Sequence, residues 1–167
     1  MGLIDFVKDA GEKLFGRAHA QAAVPDAAAP ASSESKSQAA NSAAGDAILD
    51  YVKSQNLAAT GLTVTYDGAT STASVFGVAP DQATREKIVL CCGNVAGVAA
   101  VKDMMSVDQS APESKFYTVV SGDTLSRISK QFYGDANKYM QIFEANKPML
   151  KSPDKIYPGQ NLRIPAQ

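Results

Sequence analysis

The sequence predicts an α+β protein of two small domains, preceded by a short amphipathic helix. Two observations predict this fold class. The composition of the 167-residue chain changes over residues 17–44, which are rich in Ala, Ser, Gln and Pro, and this break favours separate folded pieces over one core. After the break, the apolar pattern indicates the order helix, strand, strand, helix, strand, followed by strand, helix, helix, strand.

Residues 1–16 are expected to form the amphipathic helix. Its apolar residues recur every three or four positions, and its charged residues lie on other faces. A helix this short is marginal alone in water, so it needs a partner. The mixed signs on its polar face favour docking on a protein domain over lying on a membrane. The apolar positions are Leu3, Phe6, Val7, Ala10 and Leu14.

Residues 17–44 are predicted to be a flexible linker, because they hold no large apolar side chain beyond Val24. The single histidine, His19, lies in this segment and is expected to be an ordinary solvated side chain. The chain shows neither a secretory signal nor a run of about 18 apolar residues. We therefore expect a cytoplasmic protein without an integral membrane segment.

Residues 45–108 are predicted to form the first domain, which begins with a helix over residues 46–57. The next stretch, LTVTYDGATSTASVFG, alternates apolar and polar residues over two strands. Asp67-Gly68 is a turn signal between these strands, and Gly77 is expected at the end of the second one. The pattern predicts a hairpin with one buried side, so that the helices cover one face of the sheet.

The second helix of this domain follows Asp81, whose side chain can cap its N-terminus. Gly93 fits the C′ position at which a helix ends, and a third strand can follow Gly97. The adjacent Cys91 and Cys92 cannot form a useful disulfide with each other, and two cysteines with one histidine are too few for a structural zinc site. We expect them to be reduced and to pack as small apolar residues.

A short linker, residues 109–115, leads to the second domain, residues 116–167. Its first strand is expected to end at a Ser-Gly pair, after which Asp123 can cap a helix that ends at Gly134. A second helix follows, and a Pro-Gly turn leads into the last strand. The order strand, helix, helix, strand closes a unit near the lower size limit for independent folding.

Residues 116–167 strongly resemble a LysM domain. The motifs YTVVSGDTLSRIS, IFEANK and IYPGQNLRIP carry this resemblance, at the spacing of the family. Residues 45–108 resemble a BON domain through their element order and through the positions of Gly77 and of the loop 93–98. The two domains in this order, preceded by MGLIDFVKDAGEKLFG, are similar to the cytoplasmic BON-LysM proteins that bind potassium. The chain departs from these proteins in its long Ala/Ser segment after residue 16.

The LysM resemblance implies one function, the binding of N-acetylglucosamine polymers such as peptidoglycan, or of a protein partner, in a shallow groove. The groove lies between the first strand–helix loop and the segment after the second helix. Each position also has a structural explanation as a cap, a turn or a helix end, and a cytoplasmic protein does not meet the cell wall. The positions are Ser121, Gly122, Asp123, Thr124, Asn146, Lys147, Pro148, Met149 and Leu150.

The BON-LysM resemblance implies a second function, the binding and sensing of a potassium ion. Potassium is large and weakly polarising, so a cage of roughly six neutral carbonyls suits it better than carboxylates do. Helix C-termini supply carbonyls that lack intrahelical partners, and the uncharged loop GNVAGV can turn its oxygens inward. A helix break at Gly11 would free the carbonyls near Val7 and Ala10. The loop glycines can equally be explained by a tight turn alone.

The same resemblance implies that the backbone carbonyls of Val7, Ala10, Gly93, Val95 and Val98 hold the ion, with Asn94 as a further candidate. We expect a monomer in which ion binding orders the BON domain and its arrangement with the LysM domain.

Composition and motifs argue against other classes of function. The net charge of −1 and the pI of about 5.8 provide no extended basic surface for nucleic acid. The sequence has no histidine outside residues 17–44, no paired acids in a recognisable cleft motif and no phosphate-binding loop. An enzyme is therefore not expected.

Overall fold

The computed structural model describes residues 33–166. The N-terminal helix predicted for residues 1–16 and the first part of the predicted linker lie outside these residues. The first domain contains α1 (Ser33–Ser54), β1 (Thr60–Asp67), β2 (Thr72–Asp81), α2 (Gln82–Gly93) and β3 (Ala100–Gln109). The second contains β4 (Lys115–Thr118), α3 (Leu125–Tyr133), a 3-10 turn (Ala136–Lys138), α4 (Tyr139–Ala145) and β5 (Asn161–Ile164). The predicted α+β class and element order are confirmed.

The first domain is a three-stranded sheet with two helices on one face. β2 is the central strand, paired antiparallel with β1 and parallel with β3. Ile48 and Val52 of α1, Val75 of β2 and Ile88 of α2 are fully buried in one cluster, so both helices cover the same face. This arrangement brings the loop after α2 to the end of the sheet at which β3 begins.

The helix α1 begins at Ser33, so the predicted linker was wrong over residues 33–44. This stretch lacks proline, and its four Ala, together with one each of Gln, Glu and Lys, favour helix. Its small residues permit close packing on the sheet. Ala44 is buried, and a Cβ added to Gly45 would lie 2.6 Å from the Val64 carbonyl oxygen. Low hydrophobicity here reflects a small-residue contact surface and not a lack of structure.

The hairpin departs from its prediction in two details. The turn spans residues 68–71 and is longer than the predicted Asp-Gly pair. It is closed by the Asp67 carboxylate, which accepts hydrogen bonds from the Ala69 amide (3.0 Å) and the Thr70 hydroxyl (2.7 Å). β2 also continues past Gly77, where a φ of 140° lets the backbone of β1 approach closely. Both differences arise from contacts that the alternation of apolar residues does not encode.

The second domain packs α3 and α4 on the antiparallel pair β4–β5. Its core holds the fully buried Ile128 and Ile142 together with Leu125 and Leu162. Gly134 ends α3 with a φ of 72°, as predicted. No helix within residues 33–166 is long and apolar enough to cross a membrane.

The cap of α3 differs from the prediction. Thr124 caps the helix, because its hydroxyl accepts a hydrogen bond from the Arg127 amide at 3.2 Å. Asp123 instead closes the preceding turn, where its carboxylate accepts hydrogen bonds from the Val120 amide (3.0 Å) and the Tyr117 hydroxyl (2.8 Å). Of the two residues that the sequence offered as caps, Thr124 caps α3 and Asp123 closes the turn before it.

Candidate functional site

The segment from the last residue of α2 to the start of β3, residues 93–99 and called the loop below, contains the candidate ligands that the structure describes. The amides of Asn94 and Val95 donate to the carbonyls of Leu90 (3.1 Å) and Cys92 (3.3 Å), which closes the end of the helix. Gly93 is the last residue of α2, and Asn94, with a φ of −92°, is its cap. The prediction that Gly93 occupies the C′ position was therefore wrong, because Gly93 is still helical and Asn94 is the cap.

Gly97 supplies the left-handed residue of this loop, with a φ of 90°. It allows a turn in which the Val98 amide donates to the Val95 carbonyl at 3.1 Å. The hydroxyl of Tyr66, from β1, donates to the Gly97 carbonyl at 2.7 Å. The loop is thus tied both to itself and to the sheet.

The carbonyl groups of the loop fall into two sets. Those of Val95 and Gly97 accept the hydrogen bonds just described. Those of Gly93, Asn94, Ala96 and Val98 accept no hydrogen bond from any group in residues 33–166. A carbonyl that is partly removed from water needs another partner. The arrangement can therefore present several neutral oxygen atoms to a bound cation.

A mostly apolar groove of about 480 Å³ opens beside this loop. Ala40 and Ala44 of α1 line one side, and Ala96 and Val98 of the loop line the other, with Tyr66 of β1 between them. Small side chains on both sides leave room for another chain segment to approach the loop. Among residues 33–166 no three acidic, histidine or cysteine side chains cluster as a metal site.

Both cysteines are buried and free, immediately before the loop. They belong to the apolar core of the first domain. Burial raises the pKa of the Cys91 thiol and raises that of Cys92 to about 12, so both remain protonated at neutral pH. Their predicted role as packing residues is confirmed.

The candidate glycan-binding residues do not all line one groove. Asp123 and Thr124 line a groove of about 360 Å³ in the second domain, and Pro153 and Asp154 lie among its other lining residues. Ser121 and Gly122 are exposed on the same loop as Asp123. Of the two predicted segments, only the first one, through Asp123 and Thr124, lines the groove.

The other predicted segment, residues 146–150, does not line this groove. Asn146, Met149 and Leu150 are buried, whereas Lys147 is half-buried and Pro148 is exposed, and their role as glycan contacts stays a prediction. The Asn146 side chain is used internally: it donates to the Arg163 carbonyl and accepts from the Arg163 amide, both at 2.8 Å.

Met149 and Leu150 are buried in different cores. Met149 packs into the apolar core of the first domain, whereas Leu150 belongs to the core of the second. The end of this segment therefore joins the domains, because packing draws its side chains inward, and it leaves little surface for a ligand.

A buried ion pair between the domains was missed by sequence reasoning. Nε of Arg163 on β5 lies 2.5 Å from Oε2 of Glu86 on α2. The other Glu86 oxygen accepts hydrogen bonds from Gln82 (2.9 Å) and from the Ser114 amide (2.8 Å). Burial alone would raise the pKa of Glu86, but these three donors together lower it. The sequence offered one signal of this polar contact. Gln82 and Glu86 lie four residues apart, so their side chains meet on the same face of a helix that packs in the core.

Asn94 makes the second polar contact between the domains. Its side-chain amide donates to the Asn161 carbonyl at 3.0 Å, and its side-chain oxygen accepts from the Asn161 amide at 2.8 Å. The side chain therefore holds strand β5, while the backbone carbonyl of Asn94 accepts no hydrogen bond from residues 33–166.

Comparison with known proteins agrees with this architecture. Residues 117–165 match the LysM domain family. The whole chain is 48% identical to the potassium binding protein Kbp of Escherichia coli O6:H1 strain CFT073, over the full length of both proteins. Two shorter matches, covering 30% and 34% of the chain, are an uncharacterized protein of Deinococcus radiodurans (49% identical, 19% of its length) and YqbP of Bacillus subtilis (41% identical, 29% of its length).

Proposed function

The chain belongs to the Kbp family, and from this premise we propose that it binds and senses potassium through backbone carbonyls of the loop 93–98 and of the N-terminal helix. The observation that carries the proposal is the set of loop carbonyls without a hydrogen-bond donor in residues 33–166. Neutral oxygens suit a large, weakly polarising cation. The relative that spans the whole chain is named for binding and not for a catalysed reaction, in agreement with the expectation that the chain is not an enzyme.

The proposed ligands in the described part of the chain are the carbonyls of Gly93, Val95 and Val98, with Asn94 as a further candidate. The Gly93, Asn94 and Val98 carbonyls accept no bond from residues 33–166, and Val95 accepts a single bond. Because a carbonyl oxygen has two lone pairs, Val95 can still coordinate an ion. Val7 and Ala10, which complete the proposed set, lie outside the described residues.

We further propose that residues 1–16 dock in the groove beside the loop. The groove is mostly apolar, and Ala96 and Val98 border it next to the candidate ligands. The connection is long enough, since residues 17–32 can extend over about 50 Å whereas α1 is about 33 Å long. Docking there would bring carbonyls of the N-terminal helix toward the loop, and would give the amphipathic helix the partner that it needs.

Calorimetric titration of the full chain with KCl, against NaCl at equal ionic strength, tests the proposal. We expect saturable binding of one potassium ion, and no comparable heat with sodium. A chain without residues 1–16 is the matched variant and should bind neither ion. An absence of heat with potassium up to millimolar concentrations in the full chain would contradict the proposed function.

Glycan binding by the second domain is the second candidate, favoured by the groove at Asp123 and Thr124. Ser126 also lines this groove, so Ser126→Arg should obstruct it. The exposed Ser106 of the first domain provides a matched control, Ser106→Arg. Retention on purified peptidoglycan or chitin by the parent and the control, but not by Ser126→Arg, would support this candidate. Equal retention of all three, or none, would argue against it.

The BON assignment and the cytoplasmic location also remain predictions.

A further inference from the structure

The surface between α2 and β5 joins the candidate ion loop to the LysM domain. From its geometry we propose that Asn94 is the positioning residue through which ion occupancy of the loop changes the LysM domain. This inference rests on the proposed function and extends it. It assigns to the Asn94 side chain a role that is separate from ion coordination.

The position of Asn94 within the loop carries the first step. Its side chain makes two reciprocal hydrogen bonds with the backbone of Asn161, much as a neighbouring strand would. Gly93 and Val95, its neighbours in the chain, are both proposed ion ligands. The Gly93 carbonyl belongs to the peptide group that precedes the Asn94 Cα, and the backbone carbonyl of Asn94, the further candidate ligand, belongs to the group that follows it. Turning either carbonyl toward an ion changes the backbone dihedral angles at Asn94 and can redirect its side chain. The hold on β5 and these two candidate ligands therefore share the backbone of Asn94.

The other polar contact at this surface provides a fixed point. Glu86 and Arg163 are buried, and Glu86 receives three hydrogen bonds, so this contact resists change. It lies eight residues before Asn94, or about 12 Å along the helix. The domains can thus stay attached at Glu86 while the contact at Asn94, which is only partly buried, tightens or loosens.

The contact continues from Asn161 into the LysM domain. The side-chain oxygen of Asn161 accepts a hydrogen bond from the Thr118 hydroxyl at 2.7 Å, which links β5 to the end of β4. The next residue, Val119, exchanges backbone bonds of 2.8 Å with Gln160 and Gly159. The chain then runs directly to Asp123 and Thr124, which line the groove of this domain. A displacement at Asn94 therefore reaches the loop that borders the groove.

Amide hydrogen exchange of the full chain, combined with calorimetry, tests the inference. In the parent, KCl should change the exchange of amides in residues 93–98 and in both β4 and β5. Asn94→Ala should still bind potassium, with an affinity changed by roughly 5- to 150-fold because coupling is reciprocal, while β4 and β5 no longer respond. Without potassium, this variant should also exchange the Asn161 amide faster. The exposed Asn137 supplies the control, Asn137→Ala, which should behave as the parent does.

A second variant, Asn94→Asp, retains the acceptor for the Asn161 amide, loses the donor to the Asn161 carbonyl and adds a negative charge beside the loop. The response of β4 and β5 should be intermediate, whereas the ion affinity of this variant also reflects the added charge. The inference is overturned, with the proposed function intact, if the parent binds potassium and β4 and β5 do not respond. It is also overturned if Asn94→Ala leaves their response unchanged. A parent that binds no potassium overturns both proposals together.

Discussion

At the scale of single residues, the candidate loop depends on backbone conformation more than on side-chain chemistry. Gly97 has a positive φ, and its carbonyl is fixed by the Tyr66 hydroxyl. Gly93 lies in α2, and a Cβ added to it would meet Val101 and Asn161 at ordinary contact distances of 3.5 and 3.6 Å. The backbone conformation at position 97 therefore requires glycine, whereas that at position 93 does not. The sequence alone does not distinguish these two roles.

The pair Gly97→Ala and Gly93→Ala tests this difference. Gly97→Ala should lower the free energy of unfolding by about 1–3 kcal/mol, because an L-residue is strained at a φ of 90°. Gly93→Ala should be close to neutral or slightly stabilising, because alanine favours helix. Urea unfolding with potassium titration of both variants provides the measurement. An equal loss of stability in both would contradict the assigned conformations.

The cysteines provide a second prediction at this scale. Replacing Cys91 and Cys92 together by alanine should cost about 1–3 kcal/mol of stability, because buried volume is lost. Stoichiometric potassium binding should persist in the folded variant, since no thiol is a proposed ligand. Calorimetry on the variant, after circular dichroism has shown that it is folded, would decide the question. Loss of ion binding in a folded variant would assign the thiols a direct role.

At the scale of elements, local signals predicted α2 and α3 well, whereas contacts between elements were not visible in the sequence. Asp81 caps α2 as predicted, with its carboxylate 2.7 Å from the Thr84 amide. The start of α1 was missed because its contact with the sheet uses Ala44 and Gly45, which give little hydrophobic signal. The role of Glu86 was missed because its partner, Arg163, lies 77 positions away.

The same limit applies to the candidate site. The uncharged 93–98 loop was recognisable from its sequence, and the structure leaves four of its carbonyls, those of Gly93, Asn94, Ala96 and Val98, without hydrogen-bond donors in residues 33–166. The division of roles within it was not recognisable. Only the fold brings Asn94 next to Asn161 and Tyr66 next to Gly97. Long-range side-chain contacts of this kind leave no periodic pattern.

The buried ion pair gives a prediction about the contact between α2 and β5. Arg163→Ala should lower the free energy of unfolding by about 3–5 kcal/mol, because it leaves the Glu86 carboxylate buried without its cation. The more exposed pair of Arg85 and Asp103, at 2.8 Å, provides the matched control. Arg85→Ala should cost at most about 1 kcal/mol. Chemical denaturation that gave equal losses would show that the buried pair does not join the domains energetically.

The lowered pKa of Glu86 predicts a dependence of stability on pH. The hydrogen bonds from Gln82, Ser114 and Arg163 outweigh burial and stabilise the ionised carboxylate in the folded state. The resulting stabilisation is fully present above the ordinary value of 4.5 and is lost as the pH falls through the lower folded value. Urea unfolding between pH 7 and pH 3 should show this decline, and Glu86→Gln should lack that part of it. Identical pH profiles for parent and variant would contradict the assignment.

At the scale of the whole molecule, the two domains share a surface, and the candidate ion loop lies at its edge. Met149 of the LysM domain packs in the core of the first domain, and Asn94 and Glu86 hold β5. A LysM domain attached in this way cannot act as an independent module on a tether. Changes at the loop therefore have a physical route to the second domain.

Stability in the presence of potassium tests the molecule as a unit. A ligand that binds only the folded state stabilises it, so potassium at a hundred times its Kd should add about 2.7 kcal/mol. Deleting residues 1–16 should remove this increment and the ion affinity together. Thermal unfolding of both chains, in KCl and in NaCl, is the measurement. A truncated chain that kept the full increment would show that the N-terminal helix supplies no ligand.

The central claim is that one ion is held by carbonyls from two segments far apart in sequence, the N-terminal helix and the loop after α2. Neither segment supplies enough oxygens alone, so binding must order both together. Amide hydrogen exchange of the full chain over a series of KCl concentrations tests this most directly. Protection should rise in residues 3–15 and in residues 90–100 with the same midpoint. A rise in only one of these segments, or two different midpoints, would contradict the two-segment site.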